Sequence, residues 1–379
     1  MLSEVRPLSR PLFRPGRSAS VLFVDPTCTA PYTQRTLFER AMEGPAATVV
    51  RVAEGLAQRG HRVTVAQKGR MWPEKSPGGV RFVPFDHAAG APRLAADAVV
   101  VVRQHKVLRR LRRLHPGARL FLWAHDFPGS RAKRLGLDAA AAQATVVAVS
   151  EVHRAALTAF LRERGHRPDG RPVVVPVARV YNPVDDALTP APAAVDPDKL
   201  VFLSSPHKGL DAVLGAFARV RAVRPTARLL VADPGYWTGE RPALPDGVVR
   251  LGPLPHHAVM RHVREAFCVF YPQASFAETF GLVFAEANAV GTPVIAHPGG
   301  AAQEVLGESA ADARQLVDAS DPEAAVARLS AWWAEGRPEV RARSPFRLQR
   351  VLDDWERLVG AARPSAERPF PSVRAVAVA

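Results

Sequence analysis

The sequence reads as an α/β protein built from two doubly wound, Rossmann-like domains that face each other across a central cleft. Apolar, β-rich runs alternate with helical patterns in both halves of the chain. Those runs are apolar throughout, as strands of a parallel sheet covered on both faces are. A Pro/Ala-rich stretch, LTPAPAAVDPDK (188–199), parts the halves as a linker does. The length agrees, since 379 residues with 47% apolar and 23% charged content suffice for two domains with a core each. The expected division is a first domain at 1–187, a linker at 188–199, a second domain at 200–363 and a Pro-rich, poorly ordered tail at 364–379.

In the first half the series opens with VLFVD (21–25), followed by a helix through TVVRVAEGLAQRG (48–60) that Gly60 stops. HRVTVAQ (61–67), VRFVPF (80–85), DAVVVV (97–102), RLFLWAH (119–125) and TVVAVS (145–150) continue as strands. The second half repeats the logic with LVFLSS (200–205), a helix over 209–223, ARLLVAD (227–233), VVRLG (248–252), FCVFYP (267–272) and PVIAH (293–297). In that helix Leu210, Val213, Leu214, Phe217 and Val220 fall at helical spacing and form one buried stripe. Ligands of such sheets bind at the carboxyl ends of the strands, so a site is expected there.

Charge divides unevenly. Residues 1–190 hold 30 Lys/Arg against 15 Asp/Glu and the remainder 21 of each, so the net +15 belongs to the first half. A one-sided positive field concentrates anionic partners such as acidic headgroups or phosphorylated glycans; the plainer reading is a soluble basic surface. RQHKVLRRLRRLHPGAR (103–119) reads as a basic helix with Val107, Leu108, Leu111 and Leu114 on one side. It either lies on an anionic membrane or packs those leucines on its own sheet. Nucleic acid is not expected, because no recognised motif or aromatic platform accompanies the charge.

Two cysteines, Cys28 and Cys268, exclude a disulfide framework and give no metal cluster, which fits a reducing cytosol. No window of about 18 apolar residues lacks charge, so neither a spanning helix nor a signal peptide is expected. The Gly-x-Gly-x-x-Gly and Gly-Lys-Ser/Thr fingerprints are missing, which removes dehydrogenase and ATPase readings. Asp196 and Asp198 form an Asp-x-Asp, but without a preceding apolar strand, so no metal site is expected there.

The richest segment is SFAETFGLVFAEANAVGTPVIAHPGG (275–300). Glu278 falls in a loop after a strand, Gly281 permits close backbone approach, and Leu282 to Val290 reads as a short helix stopped by Gly291-Thr292-Pro293. The N-terminus of that helix suits a diphosphate, and Glu286, a turn further in, can accept hydrogen bonds from ribose hydroxyls.

This constellation resembles retaining glycosyltransferases of the GT-B fold, specifically glycosyltransferase family 4 (glycosyl transferases group 1), whose hallmark is Glu, seven residues, Glu. Glu278 and Glu286 have that spacing, with Thr279-Phe280-Gly281-Leu282 after the first as in the family. SSPHKGLDAVLGAFARVR (204–221) looks like the family's lysine-glycine motif and implies that Lys208 contacts the donor phosphates, where a cation offsets charge growing on the leaving diphosphate. The alternative is a lysine that caps a strand end. The arginine usual a few residues earlier is absent, Phe202 to Ser205 standing there, and Ser204, Ser205 or His207 take over phosphate hydrogen bonding. GPAATVVRVAEGLAQRGHRVTV (44–65) is similar to the family's glycine loop, helix and strand; Gly44 would near the donor phosphate or the acceptor, although Pro45 replaces a second glycine. AVSEVHRAAL (148–157) and VYNPVD (180–185) are structural markers of the same resemblance.

LWAHDFP (122–128) places His125 and Asp126 at a strand's carboxyl end. The resemblance implies that His125 contacts the transferred sugar; the alternative is a histidine satisfied by local backbone. It further implies that Glu278 binds sugar hydroxyls and stabilises oxocarbenium charge, and that backbone near Gly252-Pro253-Leu254 reads the base. The implied catalytic set is His125, Glu278 and Lys208. Gly44, Ser204, Ser205, Lys208, Leu254, Thr279, Phe280, Gly281, Leu282 and Glu286 are the implied donor set.

The implied activity moves a hexose-type sugar, with retention, from a UDP- or GDP-sugar to a glycan, glycolipid or other acceptor, with no metal or other cofactor. The setting would be bacterial lipopolysaccharide or surface polysaccharide assembly, in the cytoplasm or peripherally at the inner face of an anionic membrane. The acceptor would sit on the first domain, against which the last helix would pack. The alternatives are a nucleotide-sugar epimerase or hydrolase of the same fold, and a non-catalytic nucleotide-sugar-binding protein, which the missing arginine favours.

Overall fold

The computed structural model describes residues 18–86, 96–166, 169–233, 244–307 and 314–360; the expected tail at 364–379 lies outside the described residues. The first sheet contains β1 (Ser20–Asp25), β2 (Arg62–Gln67), β3 (Glu74–Lys75), β4 (Arg81–Pro84), β5 (Ala98–Val102), β6 (Arg119–Trp123), β7 (Ala144–Ala148) and β8 (Val177–Arg179). Its order is β3-β4-β2-β1-β5-β6-β7-β8, with only the β3–β4 pair antiparallel. The second sheet orders β11 (Val248–Pro253), β10 (Arg228–Asp233), β9 (Asp196–Phe202), β12 (Ala266–Tyr271) and β13 (Val294–Ala296), all parallel.

Each sheet is wound outward in both directions from a central strand pair, β1/β5 in the first and β9/β12 in the second. Those pairs are the switch points at which a crevice opens beyond the strand ends. Burial follows the pleat. Along β5, Val99 and Val101 join one core and Ala98, Val100 and Val102 the core on the opposite face.

The helices that matter below are α1 (Thr36–Glu39), α2 (Gly44–Gln58), α3 (Leu108–Leu114), α4 (Leu135–Ala141), α5 (Glu151–Arg164), α6 (Leu210–Val223), α7 (His256–Glu265), α8 (Leu282–Ala289) and α9 (Ala302–Leu306). Helix α2 starts at Gly44, a turn earlier than its apolar pattern suggests, because Pro45 pre-sets the first turn while adding nothing to that pattern.

A closing helix, Leu348–Val359, carries the chain back to the first half, where it lies on α2. Its buried stripe, Val351, Leu352, Trp355 and Val359, faces the first sheet. Trp355 sits edge-on to Trp123 at 4.7 Å and to Phe23 at 6.2 Å. A Cβ at Gly55 of α2 would come within 2.5 Å of the Leu352 side chain, so a larger residue would have to displace that leucine from its seat between the two helices. Polar contacts border the seam: Arg59 donates to Asp353 at 2.8 Å and to Glu356 at 2.9 Å, and His61 lies 2.9 Å from Glu356.

Two expectations need correction. The stretch read as linker to residue 199 is already strand from Asp196. Its polar start, Asp-Pro-Asp-Lys, hides the strand, and Asp196 and Asp198 are paired with Arg228 and Arg224. The basic segment is a 3-10 turn, His105–Val107, leading into the short α3. Leu108 and Leu111 are buried in the sheet's core, with Val107 and Leu114 packed against it, so the apolar side is used internally. Arg112 is also inward-directed and donates to the carbonyls of Ala142, Pro116 and Ala118. The outer face keeps Lys106, Arg109, Arg113 and Arg119 exposed. Among the described residues no helix is long and apolar enough to cross a membrane.

Candidate active site

Where the carboxyl ends of the two sheets meet, a cavity of about 690 Å³ opens between the halves. All the nominated positions line it: Gly44 and His125 from the first half, Ser204, Ser205, Lys208 and Leu254 from the second, and the continuous run Glu278 to Leu282 with Glu286.

The run 278–286 takes its shape from its neighbours. Gln273, just past β12, both donates to and accepts from the backbone of Phe276 at 2.8 Å, which fixes the following loop. Gly281 then turns the chain at φ 81°, where a Cβ would strike the Phe284 ring at 2.5 Å. The turn starts α8 with its first residues, Leu282 and Val283, on the cavity wall. First-turn amides lack intrahelical acceptors and carry the positive end of the dipole, which suits an anion. Helix α2 adds a second such terminus. A Cβ on Gly44 would lie 3.5 Å from Leu282, an ordinary contact, so the protein's own packing does not demand a glycine there.

Glu278 and Lys208 face each other. The ammonium lies 2.9 and 3.0 Å from the two carboxylate oxygens and 4.7 Å from the Phe276 ring centre, and Tyr271 donates its hydroxyl to Oε1 at 3.0 Å. Lys208 therefore points into the cavity and does not cap a strand end.

Glu286 is buried a turn into α8. Burial alone pushes its pKa up, but His256 at 3.0 Å and Arg51 at 3.3 Å outweigh that and hold it below the ordinary carboxylate range. Neither partner follows from local sequence. Arg51 comes from α2 across the cleft and His256 from the start of α7. The available signal was an arginine inside the apolar run Val49–Ala53, where a buried charge needs a partner. Tyr271, bonded to Glu278, and Arg103, on the cavity wall, are further residues at the site that the motifs did not indicate, while Asn182, read only as part of a structural marker, also lines the cavity.

His125 is buried with its ring centre 4.9 Å from that of Trp123, and its Nε2 has no partner among the described residues. A histidine satisfied by local backbone at that nitrogen is thereby set aside. Burial, then the charges of Arg103 and His153, push its pKa down to about 3, so the imidazole is neutral near pH 7. Asp126 is largely exposed and accepts from Arg103 at 2.8 Å. The Thr279 hydroxyl donates to the His125 carbonyl at 2.7 Å, and Ser150 donates to the Thr279 carbonyl at 2.6 Å. Thr279 thus ties the halves together, while the Phe280 ring packs on Tyr181 and Phe346. A further tie comes from the Glu304 carboxylate of α9, which accepts from the first amides of α5, Glu151 at 2.8 Å and Val152 at 3.1 Å.

A second cavity of about 370 Å³ adjoins the first at the β1/β5 switch point and shares Arg40 to Glu43, Pro45 and Arg103 with it. Asp25 is held on its wall by the hydroxyls of Tyr32 at 2.8 Å and Thr27 at 3.2 Å. Arg103 stands between the cavities, its backbone in the left-handed region at φ 63°.

Known proteins share this architecture. The structure superposes on sucrose-phosphate synthase of Thermosynechococcus elongatus with a TM-score of 0.62 at 16% identity, covering 90% of this chain and 96% of that one. It matches Anabaena Alr3699/HepE, determined in complex with UDP and glucose, with a TM-score of 0.60 at 14% identity, covering 90% and 99%. The fold is GT-B. Within it, residues 194–344 match the family model described as glycosyl transferases group 1, a segment that holds Lys208, Glu278 and Glu286. Among curated relatives, the D-inositol 3-phosphate glycosyltransferase of Segniliparus rotundus is 32% identical over 165 residues, 40% of this chain and 36% of that protein. The protein of the same name from Frankia alni is 35% identical over 162 residues, 35% of this chain and 39% of that protein. The matched stretches span well under half of those relatives.

Proposed function

We propose that this GT-B cleft transfers a hexose-type sugar from a UDP- or GDP-sugar to a hydroxylated acceptor, with retention of configuration and without a metal ion. One observation carries the reading: within the family-matched segment, Lys208, Glu278, Glu286 and the N-terminus of α8 converge on a single cavity between the halves.

The diphosphate rests on the α8 amides and Lys208, with Ser204, Ser205 and His207 standing in for the absent arginine. Glu286 accepts from the ribose, and the base lies against backbone at Leu254. Lys208 then exchanges Glu278 for phosphate, which frees the Glu278 carboxylate to hold sugar hydroxyls and stabilise positive charge at the anomeric carbon. In the reaction the bond from that carbon to the phosphate oxygen breaks as the acceptor oxygen bonds on the same face. The acceptor proton passes to the leaving phosphate, and a nucleoside diphosphate departs. Lys208 meets charge where it grows, the role a preorganised cation performs best. Neutral His125 offers a hydrogen bond to the sugar rather than a charge.

The acceptor lies in the second cavity. Arg40 and Arg103 there, and relatives named for inositol 3-phosphate, favour a hydroxylated acceptor bearing an anionic group, phosphorylated glycans and glycolipids of surface polysaccharide assembly among them. The basic surplus concentrates such molecules. Contact with an anionic membrane would rest on exposed cations such as Lys106, Arg109, Arg113 and Arg119 in and around α3, since its leucines are used internally.

Incubation with a panel of UDP- and GDP-sugars, with and without a chelator, tests the reading. Nucleoside diphosphate release with one donor, undiminished by the chelator and yielding a product of the donor's anomeric configuration by proton NMR, is the expected result. Donor binding without release under any acceptor, release that needs a metal, or an inverted product each contradict it.

A further inference from the structure

Arg51 lies two turns into α2 and is buried to the same degree as the Glu286 carboxylate it meets from the opposite half, each residue being 6% exposed. Arg51 Nη2 is 3.3 Å from Glu286 Oε1, and His256 Nε2 is 3.0 Å from the same oxygen. Arg51 also approaches the His256 ring at 3.3 and 3.4 Å. The nearest approach of each partner therefore falls on Oε1, in a residue that lines the cavity. Both are charge contacts: Oε1 is buried and has no hydrogen-bond partner among the described residues, so the carboxylate is held by its cations and keeps its capacity to accept from a ligand.

Ribose hydroxyls donate to an ionised carboxylate, whereas a protonated one carries a donor of its own and has less capacity to accept. A carboxyl buried this deeply tends toward the protonated form. The groups that face it and oppose that tendency are His256 from α7 and Arg51 from α2. Of these, only Arg51 belongs to the other half, so the ionised, oriented state of Glu286 is complete only when the halves are together.

We infer that Arg51 is a positioning residue for the nucleotide ribose, acting across the cleft through Glu286 and making recognition of a ribonucleoside diphosphate depend on contact between the halves. The inference rests on the placement of the ribose at Glu286 given above.

The test compares UDP and GDP with their 2′-deoxy forms by calorimetry between pH 4.5 and 8, on the wild type, Arg51→Met, Arg51→Gln and Arg51→Lys. A hydrogen bond to a charged group predicts about tenfold tighter binding of the ribose form by the wild type. In the two neutral variants the preference falls to about threefold or less, and the pH below which it disappears moves up, because burial then acts on Glu286 with less opposition. Arg51→Lys retains the preference. Melting curves identify folded variants, and Arg51→Gln, which keeps a hydrogen-bond donor, carries the comparison if Arg51→Met does not fold. Equal weakening of ribose and deoxyribose forms with an unchanged pH dependence overturns the inference and leaves Arg51 as an inter-half contact only. A wild type with no ribose preference overturns the placement at Glu286 itself, an outcome distinct from the first.

Discussion

Exchanging Lys208 for alanine lowers the turnover number for sugar transfer by about 100- to 1000-fold, the cost of removing one preorganised group from developing charge. In the proposed reaction Lys208 is the cation set against the leaving diphosphate, because the arginine usual in the family this sequence resembles is missing and the neighbouring Ser204 and Ser205 are neutral. The same change leaves Glu278 with the Tyr271 hydroxyl but without its cation, so a lower melting temperature accompanies it. A Lys208→Arg exchange does not restore the lysine's role, since the guanidinium is larger and planar where a point charge now lies over the Phe276 ring. Rate of nucleoside diphosphate release at saturating donor, on protein whose circular dichroism matches wild type, measures the effect. A loss under about tenfold would place the phosphate charge on some other group.

Replacing Trp355 by alanine destabilises the protein by about 3–5 kcal/mol. Trp355 is fully buried and joins Trp123 and Phe23 in the core between the first sheet and the closing helix. The tight seat of Leu352 on Gly55 leaves the helix little room to collapse into the space vacated. Because this helix is the last described element and grips the first half, its loosening also weakens the cleft. Urea denaturation followed by circular dichroism gives the value. A cost below about 1 kcal/mol would mean that the helix contributes little to the first half's core.

The fold was legible because its strands are local runs. The runs AVVVV and FCVFY are apolar on both faces, and their alternation with helical patterns points to a covered parallel sheet. Boundaries were less legible where chemistry and pattern part company. The polar start of β9 hid behind its aspartates, and Pro45 hid the first turn of α2. The leucines of α3 were ambiguous because a stripe that faces a membrane and one that faces a sheet have the same spacing.

At the site, Glu278 and Glu286 share one strand, loop and helix, so their spacing survives in the sequence. The pairing of Arg51 with Glu286, of Thr279 with the His125 carbonyl and of Glu304 with the start of α5 joins distant segments across the cleft. No local pattern encodes such contacts. They arise only when both halves are folded and facing each other.

The most direct test of the donor site is isothermal titration of the wild type and of Glu286→Ala with UDP- and GDP-sugars in metal-free buffer. One donor is expected to bind the wild type with a Kd of about 1 μM to 1 mM, the range of ordinary enzyme–substrate affinities, and to bind Glu286→Ala about tenfold or more weakly. Absence of binding to the wild type, or equal affinity for both proteins, would contradict a donor site built on α8.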